Sequence, residues 1–181
     1  VTDMSNMFYR CTSLTTVPMF DTSSVTTMEG MFQLCYKLTS IPLFDTSNVT
    51  DMSRMFYSCE TIQTIPTFNT SNVVNMKEMC AYCKELTVVP LFDTSKVTNF
   101  INAFNGCSSL TSIPLFDTSK ASNMQGTFSG CSSIRDFGFV ENWNVESLVD
   151  ASYMFYYCSG FETIDLSKWN AKALTNMRCM F

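Results

Sequence analysis

From Cys35 to Ser58 the chain reads CYKLTSIPLFDTSNVTDMSRMFYS, and the whole protein is variations on this one stretch. Pro18, Pro42, Pro66, Pro90 and Pro114 recur every 24 residues, and so do Cys11, Cys35, Cys59, Cys83, Cys107 and Cys131. The next cysteine in the series, Cys158, follows after 27, so three residues have been inserted. A fixed period of this length is the mark of a solenoid, in which each repeat is one coil stacked on the next.

Apolar positions keep the same period. Leu14, Leu38, Ile62, Leu86, Leu110, Ile134 and Phe161 form one column, and Val17, Ile41, Ile65, Val89, Ile113, Phe137 and Ile164 a second. Phe8, Phe32, Phe56, Phe104, Phe128, Phe155 and Phe181 form a third, with Cys80 standing in once. Within one unit Leu38, Ile41 and Leu43 follow LxxLxL spacing and end in strand-like alternation. Val49, Met52, Met55 and Phe56 then recur at three and four, which predicts a short helix with one buried face. Gly106 and Gly130 fall where that helix has to end. The expected fold is an α/β solenoid of ~24-residue coils, each with one short parallel strand and one short helix. Residues 1–181 read as a single repeat domain of seven to eight repeats, starting and stopping in mid-repeat as a piece of a longer protein does. Residues 132–181 are variant repeats with insertions, in which Trp143 and Trp169 replace Phe44 of the quoted unit.

Composition excludes several functions. There is no histidine, which removes the commonest general base and the commonest metal ligand. The net charge is −5, and no Lys/Arg cluster exists to hold nucleic acid or an anionic membrane. No apolar run approaches the ~20 residues of a spanning helix, so no direct membrane insertion is expected.

The strings Phe44–Phe56 (FDTSNVTDMSRMF) and Ile164–Trp169 (IDLSKW) resemble the BspA-like leucine-rich repeats, which also occur in mycoplasma lipoprotein-like surface proteins. The likeness extends over nearly the whole chain. It implies a right-handed superhelix with a parallel sheet on one face, a place on a bacterial or other extracellular surface, and no catalytic residues. It also implies inward-pointing cysteines after the strand. The chain departs from the family pattern at the Pro column, where Leu-Asp-Leu-Ser is more usual.

Cys80 and Cys83 have the spacing of a redox or zinc half-site, but Cys83 belongs to the cysteine column and Cys80 to the Phe column. Both are expected to be core residues, and the column to hold thiols, because parallel stacked side chains cannot reach the ~90° disulfide dihedral without strain. Cys179 falls off the column and is expected at the surface. Asp21, Asp45, Asn69, Asp93, Asp117, Asn144 and Asn170 form an Asx ladder. Calcium would use such carboxylates, yet Asn intrudes three times and one carboxylate per rung suits turn closure and helix capping better. Met28, Met52, Met76 and Met124 sit at core spacing. Asn48-Val49-Thr50 and Asn69-Thr70-Ser71 match the glycosylation sequon but are repeat-consensus positions. No nucleophile and base can be paired, Glu141 and Glu146 having no motif context. Catalytic residues, cofactors and metals are therefore expected to be absent.

Off-column residues are left to meet a partner. A small, hydroxyl-rich face runs beside the strands, including Thr39/Ser40, Thr87/Val88 and Thr111/Ser112. Tyr9, Tyr36, Tyr57, Tyr82, Tyr156 and Tyr157 fall near the predicted helix exits as a contact ridge, tyrosine being large, rigid and amphipathic. The first functional expectation is a non-catalytic adhesin or receptor-binding module, extracellular or on a cell or virion surface, recognising a host protein or glycan. The alternative is a structural spacer or assembly subunit that self-associates through its repeat ends. A sensor of innate immune type would need a signalling segment, and none is present.

Overall fold

A computed structural model describes residues 1–181. The chain winds as stacked coils around one continuous core of 48 buried residues. Phe32 and Phe56 stack at 5.8 Å with planes 5° apart, Phe104 and Phe128 at 5.8 Å and 8°, Phe128 and Phe155 at 6.1 Å and 9°. Such offset ring pairs add about 0.5–1.5 kcal/mol each beyond the area they bury. Cys80 fills its place in this column fully buried, and so do Met28, Met52 and Met76 in theirs.

The helix predicted in each repeat does not form. From Met52 to Cys59 every backbone N–H has another destination. Met52, Arg54, Phe56 and Ser58 donate to the next coil, to the carbonyls of Asn75, Lys77, Met79 and Ala81, at 2.7–3.1 Å. Met55, Tyr57 and Cys59 donate three residues back within their own coil, and Ser53 donates to Asp51 Oδ1. With alternate donors committed between coils, no i→i−4 ladder can run. The segment is a pair of tight turns, and the apolar spacing of three and four reports those turns.

Each turn needs a left-handed residue at its third position. Arg54 (φ 55°) and Ser58 (φ 57°) supply them in one coil. Gly30, Gly126, Gly106 and Gly130 occupy the same two columns in others, with φ between 59° and 75°. The glycines read above as helix ends are therefore turn residues. Where the residue is not glycine, this backbone costs ~1–2 kcal/mol, offset here by the inter-coil bonds that begin there.

The predicted strand is also much reduced. Three rungs keep one backbone bond each at this position, Thr39 N to Thr15 O, Thr87 N to Gln63 O and Thr111 N to Thr87 O, and the single bridge there joins Val88 to Ser112. Pro42 and its equivalents have no N–H, so every rung loses a donor at the same place and a ladder cannot extend. An unbroken line of parallel bridges lies elsewhere, through Asp3, Thr27, Asp51, Asn75, Asn99, Asn123, Asp150 and Asn176. Most of these side chains also close a turn, as Asp51 Oδ1 does for Ser53 N and Asn75 Oδ1 for Lys77 N.

The three inserted residues are taken up locally by a 3₁₀ turn at Gly138–Asn142, the one named helical element of the chain. Phe137, Phe139 and Trp143 gather there against Phe128. Trp169 Nε1 donates to Val140 O at 2.9 Å, whereas the buried Trp143 Nε1 has no partner. No helix is long and apolar enough to cross a membrane.

Candidate functional site

The cysteine column faces the core. Cys35, Cys59, Cys83, Cys107, Cys131 and Cys158 each donate a thiol hydrogen bond to a carbonyl of the preceding coil at 3.0–3.2 Å. All nine cysteines are free. Burial pushes the Cys35 and Cys158 thiols up to about 11, and drives Cys59, Cys107 and Cys131 well above the ordinary thiol value. These are not nucleophiles. Cys11 departs from its column in being exposed, and Cys179 is exposed as well.

The Asx ladder closes turns without a helix to cap. Asp45 Oδ1 accepts from Ser47 N at 2.9 Å, and Asn69 Oδ1 from Ser71 N at 3.1 Å. The threonine that follows is buried and donates to the next coil, Thr46 Oγ1 to Asn69 O at 2.8 Å. Serine hydrogen bonds hold the Asp21 and Asp93 carboxyls below the usual range, and a backbone bond from Ser47 does the same for Asp45. No group of three or more Cys, Asp or Glu side chains converges to hold an ion.

On the hydroxyl-rich face the donors are largely spent. Thr39, Thr87 and Thr111 each turn Oγ1 onto the carbonyl one coil back, at 3.1–3.2 Å. The depression of about 500 Å³ between Thr39, Thr61, Gln63, Thr64 and Glu85 is lined by polar residues alone.

The tyrosines occupy three neighbouring columns beside the turns, not helix exits, and they gather into two clusters. Tyr57 meets Tyr82 edge-on at 5.5 Å. Tyr156 lies 4.1 Å from Tyr157 and edge-on to Tyr153 at 5.6 Å. Tyr9 and Tyr36 are exposed and stack on no other ring. Between the clusters the same columns hold Asn105, Gly106, Ser129 and Gly130. Gly106 is required there, since a Cβ would stand 2.7 Å from the Tyr82 ring. Burial and then the neighbouring Tyr82 raise the Tyr57 phenol, and the adjoining Tyr157 phenol raises Tyr156. Arg54 beside Tyr57 bridges Glu78 at 2.6 Å and Glu29 at 3.7 Å, which fixes the surroundings of the first cluster. Tyr157, 73% exposed, is the most open of these rings.

One surface column escaped the repeat reading. Met19, Leu43, Leu91 and Leu115 are 55–65% exposed, one per coil, immediately after the prolines. Their common spacing from the Pro column was the available signal. Leu43, the closing residue of the LxxLxL spacing, faces outward at 57% exposure.

A model of the family described as "Mycoplasma protein of unknown function, DUF285" matches residues 1–89 and again residues 87–181. No curated protein matches the chain in sequence. Among solved structures, a leucine-rich repeat protein from Eubacterium ventriosum aligns with a TM-score of 0.62 at 22% identity, over 93% of this chain and 42% of that one. The chain thus spans less than half the length of that protein. The T. pallidum leucine-rich repeat protein aligns at 0.46 and 22% identity, over 75% of this chain and 72% of that one. A leucine-rich repeat protein from Bacteroides ovatus aligns at 0.44 and 18%, over 98% and 64%.

Proposed function

The chain belongs to the DUF285 family and its coils are BspA-like leucine-rich repeats; from that premise we propose that it is a non-catalytic binding module on an extracellular surface, contacting a host protein or glycan through its tyrosine ridge. The observation that carries this reading is the pairing of two exposed tyrosines, Tyr82 and Tyr157, with the half-buried rings of Tyr57 and Tyr156, on a framework otherwise consumed by inter-coil hydrogen bonds. A ring held by a neighbouring ring loses little further freedom on contact, so it suits recognition of flat apolar faces flanked by hydroxyls. Many serine, threonine and Asx groups are tied into turns or inter-coil bonds, and the column thiols from Cys35 to Cys158 are buried donors. The chemistry left at the surface is contact chemistry.

A glycan array, paired with intact and protease-treated host cells, tests the reading and separates its two ligand classes. Specific binding that is lost in the Tyr57→Ala/Tyr82→Ala/Tyr156→Ala variant supports it, with protease sensitivity assigning the ligand to protein. A well-folded chain that binds neither array nor cells overturns it in favour of the alternative, a spacer or assembly subunit associating through its coil ends.

A further inference from the structure

The exposed apolar column travels with a second residue. Met19, Leu43, Leu91 and Leu115 are each followed two positions later by Asp, at Asp21, Asp45, Asp93 and Asp117. Where the apolar residue is missing, the carboxylate is missing too: Thr67 goes with Asn69, Asn142 with Asn144, Lys168 with Asn170. The fold does not demand this. Asn69 Oδ1 accepts from Ser71 N and Ser71 Oγ at 3.1 and 2.8 Å, as Asp93 Oδ1 does from Ser95 N and Oγ at 3.1 and 2.6 Å. The turn's hydrogen bonds are made either way, so closing it does not require the charge.

Residues two apart in extended backbone point to the same side, and Leu91, Asp93, Leu115 and Asp117 border one depression of 360 Å³. None of the four carboxylates takes part in an ion pair. The lysines three positions on, Lys96 and Lys120, form no ion pair with them; Lys96 instead donates to Asn72 Oδ1 at 2.7 Å. Coils one, two, four and five therefore each present one apolar side chain beside one unpaired carboxylate.

We infer that this stripe is a docking surface for a cationic amphipathic helix laid along the coil axis, each of its turns setting an apolar residue beside a Lys or Arg. Rungs repeat at ~4.8 Å and helix turns at ~5.4 Å, so five rungs and five turns drift apart by only about 2 Å. Same-face residues of an extended peptide recur at ~6.8 Å and lose step after one rung. A second copy seated on the stripe would oppose carboxylate to carboxylate, and an anionic membrane would be repelled.

A fluorescein-labelled Leu/Lys amphipathic helix of ~18 residues, about five turns long, is the probe. Its controls are a peptide of the same composition with the leucines scattered round the helix and a Leu/Glu helix of the same pattern. Two variants borrow the third coil's own residues: Asp21→Asn/Asp45→Asn/Asp93→Asn/Asp117→Asn, and Leu43→Thr/Leu91→Thr. Anisotropy titration should show the amphipathic cationic helix binding and both controls failing. Each variant should weaken binding about tenfold, roughly the loss of one power of ten in Kd, in a chain that its melting curve shows to be folded at the assay temperature. Equal binding of a control, unaltered binding in either variant at intact folding, or absence of binding overturns the inference. So does a dimer of the chain, or capture by anionic vesicles, that the Leu43→Thr/Leu91→Thr variant abolishes.

Discussion

The thiol of Cys59 donates to the carbonyl of Phe32, 27 residues earlier, at 3.2 Å. Phe32 N in turn donates to Met55 O, so the same coil boundary is tied from both sides. A thiol so placed is a structural donor, shut away from reagents.

Labelling at mild alkaline pH should therefore divide the cysteines in two. Cys11 and Cys179, both exposed, should react within the native state, and the seven buried thiols only after unfolding. Mass spectrometry after iodoacetamide treatment reads the sites directly. Native-state modification of Cys59 or Cys107 would contradict the coil packing.

Stability should fall at both ends of the pH range. Cys35 and Cys158 bind their protons more tightly folded, at about 11, than in an unfolded chain at ~8.5. Their stabilisation is complete below that unfolded value and is lost as pH rises through about 11. Asp21, Asp45 and Asp93 are shifted down, so theirs is present above the unfolded value of ~3.9 and lost on acidification. Denaturant midpoints measured across pH should give a plateau with a fall on each side. A midpoint still rising above pH ~9 would contradict the buried protonated thiols.

Phe56 and Tyr57 are adjacent in sequence but opposite in role. Phe56 is fully buried between Phe32 and Phe68, whereas Tyr57 is half-buried at the surface. Phe56→Ala should cost about 3–5 kcal/mol and Tyr57→Ala under about 1 kcal/mol. Equal losses in urea unfolding would show that the inward and outward positions of this turn are misassigned.

Ser58 stands at φ 57° in a column that is glycine at Gly106 and Gly130. Ser58→Gly should relieve a left-handed strain of ~1–2 kcal/mol, partly offset by ~0.5–1 kcal/mol of unfolded-state entropy. The expected result is a small rise in melting midpoint, while Ser58→Val lowers it. A clear fall for the glycine variant would mean that the turn is not built on left-handed backbone.

The solenoid and its columns were legible because period and inward chemistry are properties of sequence: the Cys, Phe and Met columns are buried as the spacing requires, apart from the exposed Cys11 and Phe181 and the partly buried Phe8. The helix was not legible, for a physical reason. Val49, Met52, Met55 and Phe56 mark inward-facing residues of two turns as well as they mark a helix face. What separates the two is where Arg54 N and Ser58 N donate, and those acceptors, Lys77 O and Ala81 O, lie in another coil. A hint lay in Gly30 and Gly126, which share a column with Arg54 in mid-segment, where a helix disfavours glycine. Of the tyrosines, sequence adjacency foreshadowed Tyr156 with Tyr157. The Tyr57–Tyr82 pair needed the coil stacking, since the two residues stand in neighbouring columns of successive coils.

The most direct test of the tyrosine ridge is saturation binding of labelled chain to host-cell monolayers, wild type against Tyr57→Ala/Tyr82→Ala/Tyr156→Ala, at matched melting midpoints. The ridge predicts saturable binding by the wild type that weakens by about tenfold or more in the variant, as loss of central aromatic contacts does. Undiminished binding by the folded variant, or none by the folded wild type, would contradict it.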